Sequence, residues 1–253
     1  MSLKIYIFQF DIHWLDPKKN ISLIRNKLES IKGQADLIVL PEMFLSGFCM
    51  EPSLSAINEN SNEIMEMVEI SKSYSTAIIG SLAIEEDGKY YNRVLLISED
   101  GIIGRYDKQY LFSHSGENKA FSSKYDANLM EFQGWKILPQ VCYDLRFPEN
   151  VRPLPAPDLL IYMANWPTPR IHHWDTLIKA RAIENQCITI GCNRIGTDGN
   201  NWEYPGHSVL VKADGSLIEA EEISKPNIFT IDKSETQEYR AKFRFLEDKK
   251  LTK

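Results

Sequence analysis

Short apolar runs alternate along the chain with longer stretches whose apolar residues recur every three or four positions. Residues 4–10 and 36–40 are short runs rich in apolar side chains, which predicts two strands. Between them, Asp16 and Pro17 predict the start of a helix and Gly33 predicts its end. The apolar face of this helix consists of Ile21, Ile24, Leu28 and Ile31.

The rest of the chain continues this mixture. Two more helices are predicted, one capped by Asn60 or Ser61 and one over about 173–185. Asp-Gly turns are expected at 87–88, as a hairpin, and at 100–101. Strands are predicted over 77–84, 93–98, 101–106, 129–132, 137–141, 159–163, 187–191, 208–211 and 228–231. Because hairpins and crossover helices are mixed, we predict one α/β domain over 1–253, a layered sandwich of mixed sheets.

Composition narrows the class of protein. The 253 residues are 43% hydrophobic, enough for a large core, and the formal net charge is -6. An acidic chain without clustered Lys and Arg is not expected to bind nucleic acid. No apolar segment approaches the ~20 residues of a membrane span, and the first residues lack a signal-peptide core. These features predict a small-molecule enzyme in the cytoplasm.

Cysteines and histidines give little sign of a metal site. The four cysteines form no CxxC pair, so free thiols are expected, and Cys49, Cys187 and Cys192 are interpreted as core or loop residues. His172 and His173 lack the HxxxH spacing that a helical zinc site uses. Glycine-rich phosphate loops are absent from the sequence as well. We therefore predict neither a metal nor an organic cofactor.

Three reactive side chains lie at or near predicted strands, in positions that suit a catalytic nucleophile and the groups that assist it. Cys142 follows the apolar run 137–141 and precedes a polar, helical turn, where the positive helix end is expected to favour a thiolate. Glu42 follows the strand at 36–40, and Lys108 lies in an extended aromatic stretch. Each alone is more often structural: a core thiol, a solvated carboxylate, a surface lysine. Together they suffice for acyl transfer, because ligand sites gather at strand ends.

Three segments in order resemble the signature segments of the nitrilase, or carbon-nitrogen hydrolase, superfamily. They are LPEMF at 40–44, YDKQYLF at 106–112 and VCYDLRFPE at 141–149. The segments ANWP at 164–167 and GCNRIGTDGN at 191–200 most resemble the bacterial omega-amidases, which deamidate 2-oxo acid amides such as 2-oxoglutaramate. The resemblance covers essentially the whole chain. It implies an αββα sandwich with four layers and a homodimer or higher homo-oligomer.

The resemblance also implies roles for individual residues. Glu42, Lys108 and Cys142 match the catalytic triad, in which the thiol attacks an amide, Glu42 acts as base and Lys108 stabilises the oxyanion with the N–H of Tyr143. Glu117 matches a second carboxylate that orients Lys108 or the amide, although a solvated loop position is an open alternative. The only partners required are a small amide and water.

Residues that hold the substrate are less constrained by the sequence. Arg146 can bind the far carboxylate of a substrate or pair with Glu149. Trp166 and Phe44 can line the pocket or belong to the core. The charged tail over 233–253, with its aromatic residues, can reach a dimer partner or fold back on its own subunit.

Three functions are considered. The first is an omega-amidase that hydrolyses a short, carboxylate-bearing oxo-acid amide through a thioester. The second is a related carbon-nitrogen hydrolase that acts on N-carbamoyl compounds, with release of carbon dioxide, or on another amide. The third is a non-catalytic binding protein with the same fold, which the presence of all three triad residues disfavours.

Overall fold

The computed structural model describes residues 1–124, 129–152, 155–219 and 228–250, most of which belong to two six-stranded sheets and the helices packed on them. The N-terminal sheet consists of β1 (Ser2–Ile7), β2 (Leu37–Val39), β3 (Ala77–Glu86), β4 (Lys89–Ser98), β5 (Gly101–Asp107) and β14 (Ile228–Asp232). Its order is β14-β1-β2-β3-β4-β5. Strands β1, β2 and β3 are parallel to one another, and the remaining pairs are antiparallel.

The C-terminal sheet is built in the same way. Its strands are β6 (Met130–Phe132), β7 (Trp135–Val141), β8 (Leu159–Ala164), β9 (Ile188–Asn193), β12 (Val209–Val211) and β13 (Leu217–Glu219). They lie in the order β13-β12-β9-β8-β7-β6, with β7, β8 and β9 parallel. A short antiparallel ribbon, β10 (Ile195–Thr197) and β11 (Glu203–Pro205), stands apart. The prediction of mixed sheets is confirmed.

Helices lie on the outer faces of the sheets and in the segments that precede and follow the strands. They are α1 (Pro17–Ser30), α2 (Pro52–Ser55), α3 (Asn62–Tyr74), α4 (Glu117–Ala120), α5 (Ile171–Asn185) and α6 (Lys233–Lys242). Short 3-10 helices lie at Ser113–Ser115, Cys142–Arg146, Pro148–Asn150, Thr168–Arg170 and Phe245–Asp248. Within the described part of the chain, no helix is both long enough and apolar enough to cross a membrane.

The caps of α1 and α3 follow from local sequence. The carboxylate of Asp16 accepts a hydrogen bond from the N–H of Lys19 at 3.1 Å, and Pro17 is the first helical residue. In the same way, the hydroxyl of Ser61 accepts from the N–H of Ile64 at 3.4 Å, so Ser61 is the cap of α3. Both starts agree with the prediction.

Three apolar clusters define four layers. One cluster fills the space between the sheets and includes Val39 and Val94 from the N-terminal sheet and Val141 and Ile161 from the C-terminal sheet. A second cluster joins α1 and α3 to the outer face of the N-terminal sheet. The third joins α5 to the outer face of the C-terminal sheet. The layer order is therefore αββα, as predicted.

The N-terminal strand is shorter than predicted. It ends at Ile7 and not at residue 10. Beyond this point the chain leaves the sheet, since the carbonyl of Phe10 accepts a hydrogen bond from the N–H of Ile195 at 3.2 Å. The three-residue strands β10 and β11 were not predicted, because so short a run has no readable alternation.

The C-terminal tail contacts its own subunit. In α6, Arg240 donates from Nε to the carbonyl of Gln186 and from Nη2 to the carbonyl of Pro157, both at 2.7 Å. The side chain of Gln186 donates in return to the carbonyl of Phe243 at 2.7 Å. The tail therefore folds back on the end of α5, while residues 251–253 lie outside the described part of the chain. Contact of the same tail with a dimer partner stays a prediction.

Candidate active site

Glu42 lies between the sheets, shortly after the end of β2, and is completely buried. Its Oε1 accepts hydrogen bonds from Lys108 Nζ at 2.9 Å and from Asn92 Nδ2 at 2.8 Å. Its Oε2 accepts from the backbone N–H of Asn165 at 2.9 Å. These partners come from both sheets, so the packing of the two sheets against each other orients the Glu42 carboxylate.

Lys108 follows the last residue of β5 and is also completely buried. Its ammonium donates to Glu42 and to both carboxylate oxygens of Glu117, each at 2.9 Å. The ring of Phe48 lies 5.3 Å from Nζ and covers the ammonium from another side. The prediction that Glu42 and Lys108 come together is confirmed by this geometry.

Glu117 is the first residue of α4 and has no solvent exposure. Besides Lys108, its carboxylate accepts from the N–H of Phe112 at 2.6 Å and from Asn92 Nδ2 at 3.0 Å. The alternative of a solvated loop carboxylate is therefore wrong. The loop-like composition around residue 117 concealed a short helix that directs the side chain inward.

Asn92 and Asn165 are further members of the site. Asn165 was expected at a strand end that could converge with Glu42 and Cys142, and the structure confirms this, whereas Asn92 was not predicted. Asn92, in β4, donates to both Glu42 and Glu117 and holds the two carboxylates on one ammonium. Asn165, just past β8, donates from Nδ2 to the carbonyl of Glu42 at 2.8 Å. The sequence offered little signal for Asn92, because β4 also carries the polar residues Lys89, Arg93 and Ser98.

Cys142 follows β7 directly and opens the 3-10 helix Cys142–Arg146. Its φ is 45°, a left-handed conformation that non-glycine residues adopt rarely and at an energetic cost. This sharp turn brings Sγ within 3.9 Å of the carbonyl oxygen of Asn165, whose N–H binds Glu42, and close enough to Glu42 for its charge to act on the thiol. The predicted turn is confirmed, and Cys142, Glu42 and Lys108 form one cluster.

The charge of the cluster determines the resting state of the thiol. Part of Cys142 is accessible to solvent, but its sulfur lies among buried groups. Burial raises the pKa of the Cys142 thiol well above its usual range, the charge of Glu42 raises it further, and Lys108 opposes both. Two carboxylates already surround one ammonium, so a thiolate would add a second uncompensated negative charge. The expectation that the helix end favours a resting thiolate is therefore wrong.

Glu42 and Lys108 are held in their charged forms. Burial alone would raise the pKa of Glu42, but the charge of Lys108 and the hydrogen bonds from Lys108, Asn165 and Asn92 bring it below the usual value. Burial would likewise lower the pKa of Lys108, and the charges of Glu117 and Glu42 raise it instead. The site at neutral pH therefore contains a carboxylate base, an ammonium and a protonated thiol.

Comparison with known proteins identifies the relatives of this arrangement. Residues 4–241 match the model of the carbon-nitrogen hydrolase family. The chain belongs to the carbon-nitrogen hydrolase family. It is 43% identical over 217 residues to the omega-amidase YafV of Yersinia enterocolitica, covering 85% of this chain and 84% of that protein. It is 32% identical over 223 residues to the 2-oxoglutaramate amidase of Bacillus subtilis, with 86% of each chain covered.

A solved structure agrees with this family membership. A CN-hydrolase superfamily protein from Xanthomonas campestris, which carries an arsenic adduct in its active site, superimposes with a TM-score of 0.94. The two chains are 33% identical, and the match covers 100% of this chain and 99% of the other. The described residues therefore have the carbon-nitrogen hydrolase fold.

In this hydrolase, a buried polar network fastens the Cys142 turn to the segment that carries Lys108. Asp144 accepts from the N–H of Val141 at 2.9 Å, from the N–H of Tyr110 at 2.9 Å and from the hydroxyl of Tyr106 at 2.8 Å. Burial raises the pKa of Asp144 to about 6, against the opposing charge of Lys108 and these hydrogen bonds. Asp144 was not predicted as a site residue, although an acidic residue two positions after the cysteine in a mainly apolar stretch was the available signal.

Tyr143 follows the nucleophile directly, and its ring packs among other aromatic rings. Its N–H lies in the first turn of the 3-10 helix, where helical N–H groups have no intrahelical partner. The ring is half-buried and packs against the rings of Phe112, at 5.0 Å between centroids, and Phe147, at 5.1 Å. This placement agrees with the predicted use of the Tyr143 N–H.

Arg146 closes the same 3-10 helix and makes no ion pair with Glu149 within the described part of the chain. Its guanidinium lies over the ring of Trp166, 4.9 Å from the centroid, and contacts His173. Trp166 itself is 3% exposed, and its Nε1 donates to the carbonyl of Arg170 at 2.8 Å. Trp166 therefore belongs mainly to the core beside α5 and supports Arg146 with its ring face.

Phe44 is a core residue and does not line the site. It is 1% exposed and packs in the cluster between the N-terminal sheet and its helices. Gly80 leaves room for it, since a Cβ at that position would lie 2.7 Å from Phe44 Cδ1. The interpretation of Phe44 as a pocket wall is wrong, because the chain turns after Glu42 and directs Phe44 to the opposite face. Phe48, which covers Lys108, is the aromatic residue next to the cluster.

Proposed function

We propose that this carbon-nitrogen hydrolase is an omega-amidase, which hydrolyses the terminal amide of a short, carboxylate-bearing 2-oxo acid amide to the acid and ammonia. The observation that carries the proposal is the buried cluster of Glu42, Lys108 and Glu117 against the thiol of Cys142. Such a cluster contains a nucleophile, a base and a fixed positive charge in one place. The similarity to an omega-amidase and to a 2-oxoglutaramate amidase supports the choice of substrate.

In the first step, Cys142 attacks the amide carbonyl. Because the resting thiol is protonated, Glu42 takes the proton from Sγ as sulfur bonds to the carbonyl carbon. The carbonyl electron pair moves to oxygen, and the resulting oxyanion is stabilised by the ammonium of Lys108 and the N–H of Tyr143. A single donor of this kind contributes on the order of 100-fold or more to the rate.

In the following steps, the same groups return to their starting state. The oxyanion collapses, the bond from carbon to nitrogen breaks, and the proton on Glu42 passes to the leaving nitrogen, which departs as ammonia. Water then attacks the thioester while Glu42 takes a proton from it. The bond from carbon to sulfur breaks, the sulfur regains a proton from Glu42, and the carboxylic acid leaves. No group outside the cluster is needed for this sequence of proton transfers.

Glu117 is proposed to orient Lys108 and not to react. Both of its oxygens contact Nζ, and one is fixed by the N–H of Phe112. A charge-assisted contact with two oxygens restricts the direction of the ammonium more than one contact does. Glu42 is thereby left free to exchange protons while the position of Lys108 is maintained.

Arg146 is proposed to bind the carboxylate of the substrate. Its guanidinium, four residues after the nucleophile, has no carboxylate partner among the described residues and lies on the face of Trp166. A planar guanidinium recognises a carboxylate through two parallel hydrogen bonds. An arginine without a carboxylate partner, four residues after the nucleophile in the sequence, favours a short amide with a negative charge at its far end.

The proposal includes a homodimer or higher homo-oligomer in the cytoplasm. The half-buried aromatic residues of the tail and the exposed ring of Phe245 supply apolar surface for a partner. The catalytic thiol and the three other free cysteines suit a reducing compartment.

Ammonia release from 2-oxoglutaramate tests the proposal, with glutamine and an N-carbamoyl amino acid as comparison substrates. The wild-type protein is expected to prefer the oxo-acid amide, and Cys142→Ala to abolish turnover. Cys187→Ala is the matched control, because this thiol is completely buried beside α5 and should leave kcat nearly unchanged. Carbon dioxide release from the carbamoyl compound would instead favour the second function, and no turnover of any amide would contradict both.

A further inference from the structure

The guanidinium of Arg146 is held by partners that carry no negative charge. Its Nη2 lies 3.1 Å from Nδ1 of His173, and its central carbon lies 4.9 Å from the centroid of Trp166. Among the residues that the structure describes, no carboxylate pairs with this arginine, and Glu149, three positions further along, is exposed to solvent. The position of the guanidinium is therefore fixed without neutralising its charge.

The contact between Arg146 and His173 determines the state of the histidine. A guanidinium can only donate hydrogen bonds, so Nδ1 of His173 must accept, and the ring proton must be on Nε2. Burial lowers the pKa of His173, and the neighbouring charges of His172, Arg146 and Arg170 lower it further. The histidine is therefore a neutral acceptor at neutral pH.

A carboxylate in the place of His173 would orient Arg146 as well, but it would also compete with the substrate. A buried or half-buried ion pair must be broken or shared before the arginine can bind a second carboxylate, whereas a neutral acceptor occupies one N–H and leaves the others free. We propose that His173 is a positioning residue for substrate recognition, which directs Arg146 toward the carboxylate of the amide substrate while leaving its positive charge available. This inference rests on the proposed function of Arg146.

The surroundings of His173 reinforce the positive potential. Arg170 precedes α5, and its guanidinium lies 5.5 Å from the ring centroid of Phe112, which packs against Tyr143 next to the nucleophile. No carboxylate among the described residues pairs with Arg170 either. Two unpaired guanidinium groups beside a neutral histidine favour an anionic substrate over a neutral one.

The test compares two substitutions of His173 on two substrates. His173→Phe keeps a flat ring without an acceptor, whereas His173→Asn retains an oxygen near the position of Nδ1. With 2-oxoglutaramate, KM should rise about 10-fold in the Phe variant and stay within about 2-fold in the Asn variant, because one hydrogen bond to a charged group is lost only in the first. With pentanamide, which has no carboxylate, KM should not change, and kcat should stay within about 2-fold for both.

His172→Phe is the matched control. This exposed neighbour has no hydrogen bond to Arg146, and a phenyl ring can keep its edge-on packing against His173, 4.2 Å between ring centroids, so KM for both amides should stay unchanged. An unchanged KM of His173→Phe for 2-oxoglutaramate, or an equal rise for both amides, overturns the inference. A wild-type enzyme that does not prefer the carboxylate-bearing amide refutes the proposed function instead.

A second measurement does not depend on turnover. The nitrogen chemical shifts of the His173 ring, assigned by their loss in His173→Phe, should indicate a neutral ring protonated on Nε2 at pH 7. An imidazolium, or a proton on Nδ1, overturns the inference whatever the substrate proves to be.

Discussion

Replacing Glu117 by glutamine should separate the charge of this buried carboxylate from its shape. The carboxylate accepts four hydrogen bonds: two from Lys108, one from Asn92 and one from the N–H of Phe112. A carboxamide keeps one accepting oxygen and presents an NH₂ group to donors at the other position. Either orientation of the amide therefore loses two of the four hydrogen bonds, one of which comes from Lys108.

The magnitude follows from the strength of those bonds. A hydrogen bond to a charged group contributes about 1.5–3 kcal/mol, so Glu117→Gln should lower kcat/KM for 2-oxoglutaramate by roughly 10- to 150-fold through the loss of Lys108 orientation. The free energy of unfolding should fall by about 3 kcal/mol or more, because two buried hydrogen bonds are lost. The negative charge of Glu117 contributes to the raised pKa of Cys142, so this pKa should also fall in the variant.

Three assays measure these effects. Ammonia release gives kcat/KM, urea unfolding followed by tryptophan fluorescence gives the free energy of unfolding, and the pH dependence of thiol alkylation gives the pKa of Cys142. Glu131→Gln, at an exposed position of β6, is the control and should leave all three unchanged. A kcat/KM within about threefold of wild type, with an unchanged alkylation profile, would refute the assigned role of Glu117 even if stability falls.

Two further changes test the surroundings of the site. Burial raises the pKa of Asp144 to about 6, above its unfolded value of 3.8, so the protonated form stabilises the fold. This contribution to the free energy of unfolding is complete below about pH 4 and is lost as pH rises through 6. Between pH 4 and 7, the free energy of unfolding measured in urea should therefore fall by roughly 3 kcal/mol more in the wild type than in Asp144→Asn. The same pH dependence of the free energy of unfolding in both proteins would contradict this. Phe44→Leu should lower the free energy of unfolding by about 1–2 kcal/mol and leave KM within about twofold of the wild-type value. A large rise in KM would instead indicate that Phe44 lines the substrate pocket.

Much of the fold was readable from the sequence because its elements begin and end with local signals. The Asp16-Pro17 cap and the Asp87-Gly88 hairpin depend on hydrogen bonds and backbone angles within a few residues. Both residues of that hairpin have positive φ, 52° and 72°, which the sequence Asp-Gly favours. Elements without such signals were missed, such as the three-residue strands β10 and β11 and the four-residue helix α4.

The candidate site was predictable where a reactive residue follows a strand and unpredictable where its direction depends on a loop. Glu42 and Cys142 each follow a buried strand that pairs in parallel with its neighbour, and the carboxyl ends of these two strands lie close together between the sheets. Phe44 lies only two residues beyond Glu42 yet packs on the other face of the sheet. Sequence proximity to a catalytic residue therefore did not indicate proximity to the pocket.

The sequence by itself determined the family, most of the strands and helices, and the residues proposed as nucleophile, base and ammonium, because these depend on residue type and on short motifs at strand ends. Only the tertiary structure decided the burial of Glu117, the supporting positions of Asn92 and Asp144, and the protonated resting state of Cys142. These depend on contacts across the sandwich, such as the bond from Asn165 to Glu42, which are 123 residues apart. Desolvation and charge pairing are properties of the assembled interior, and no local pattern contains them.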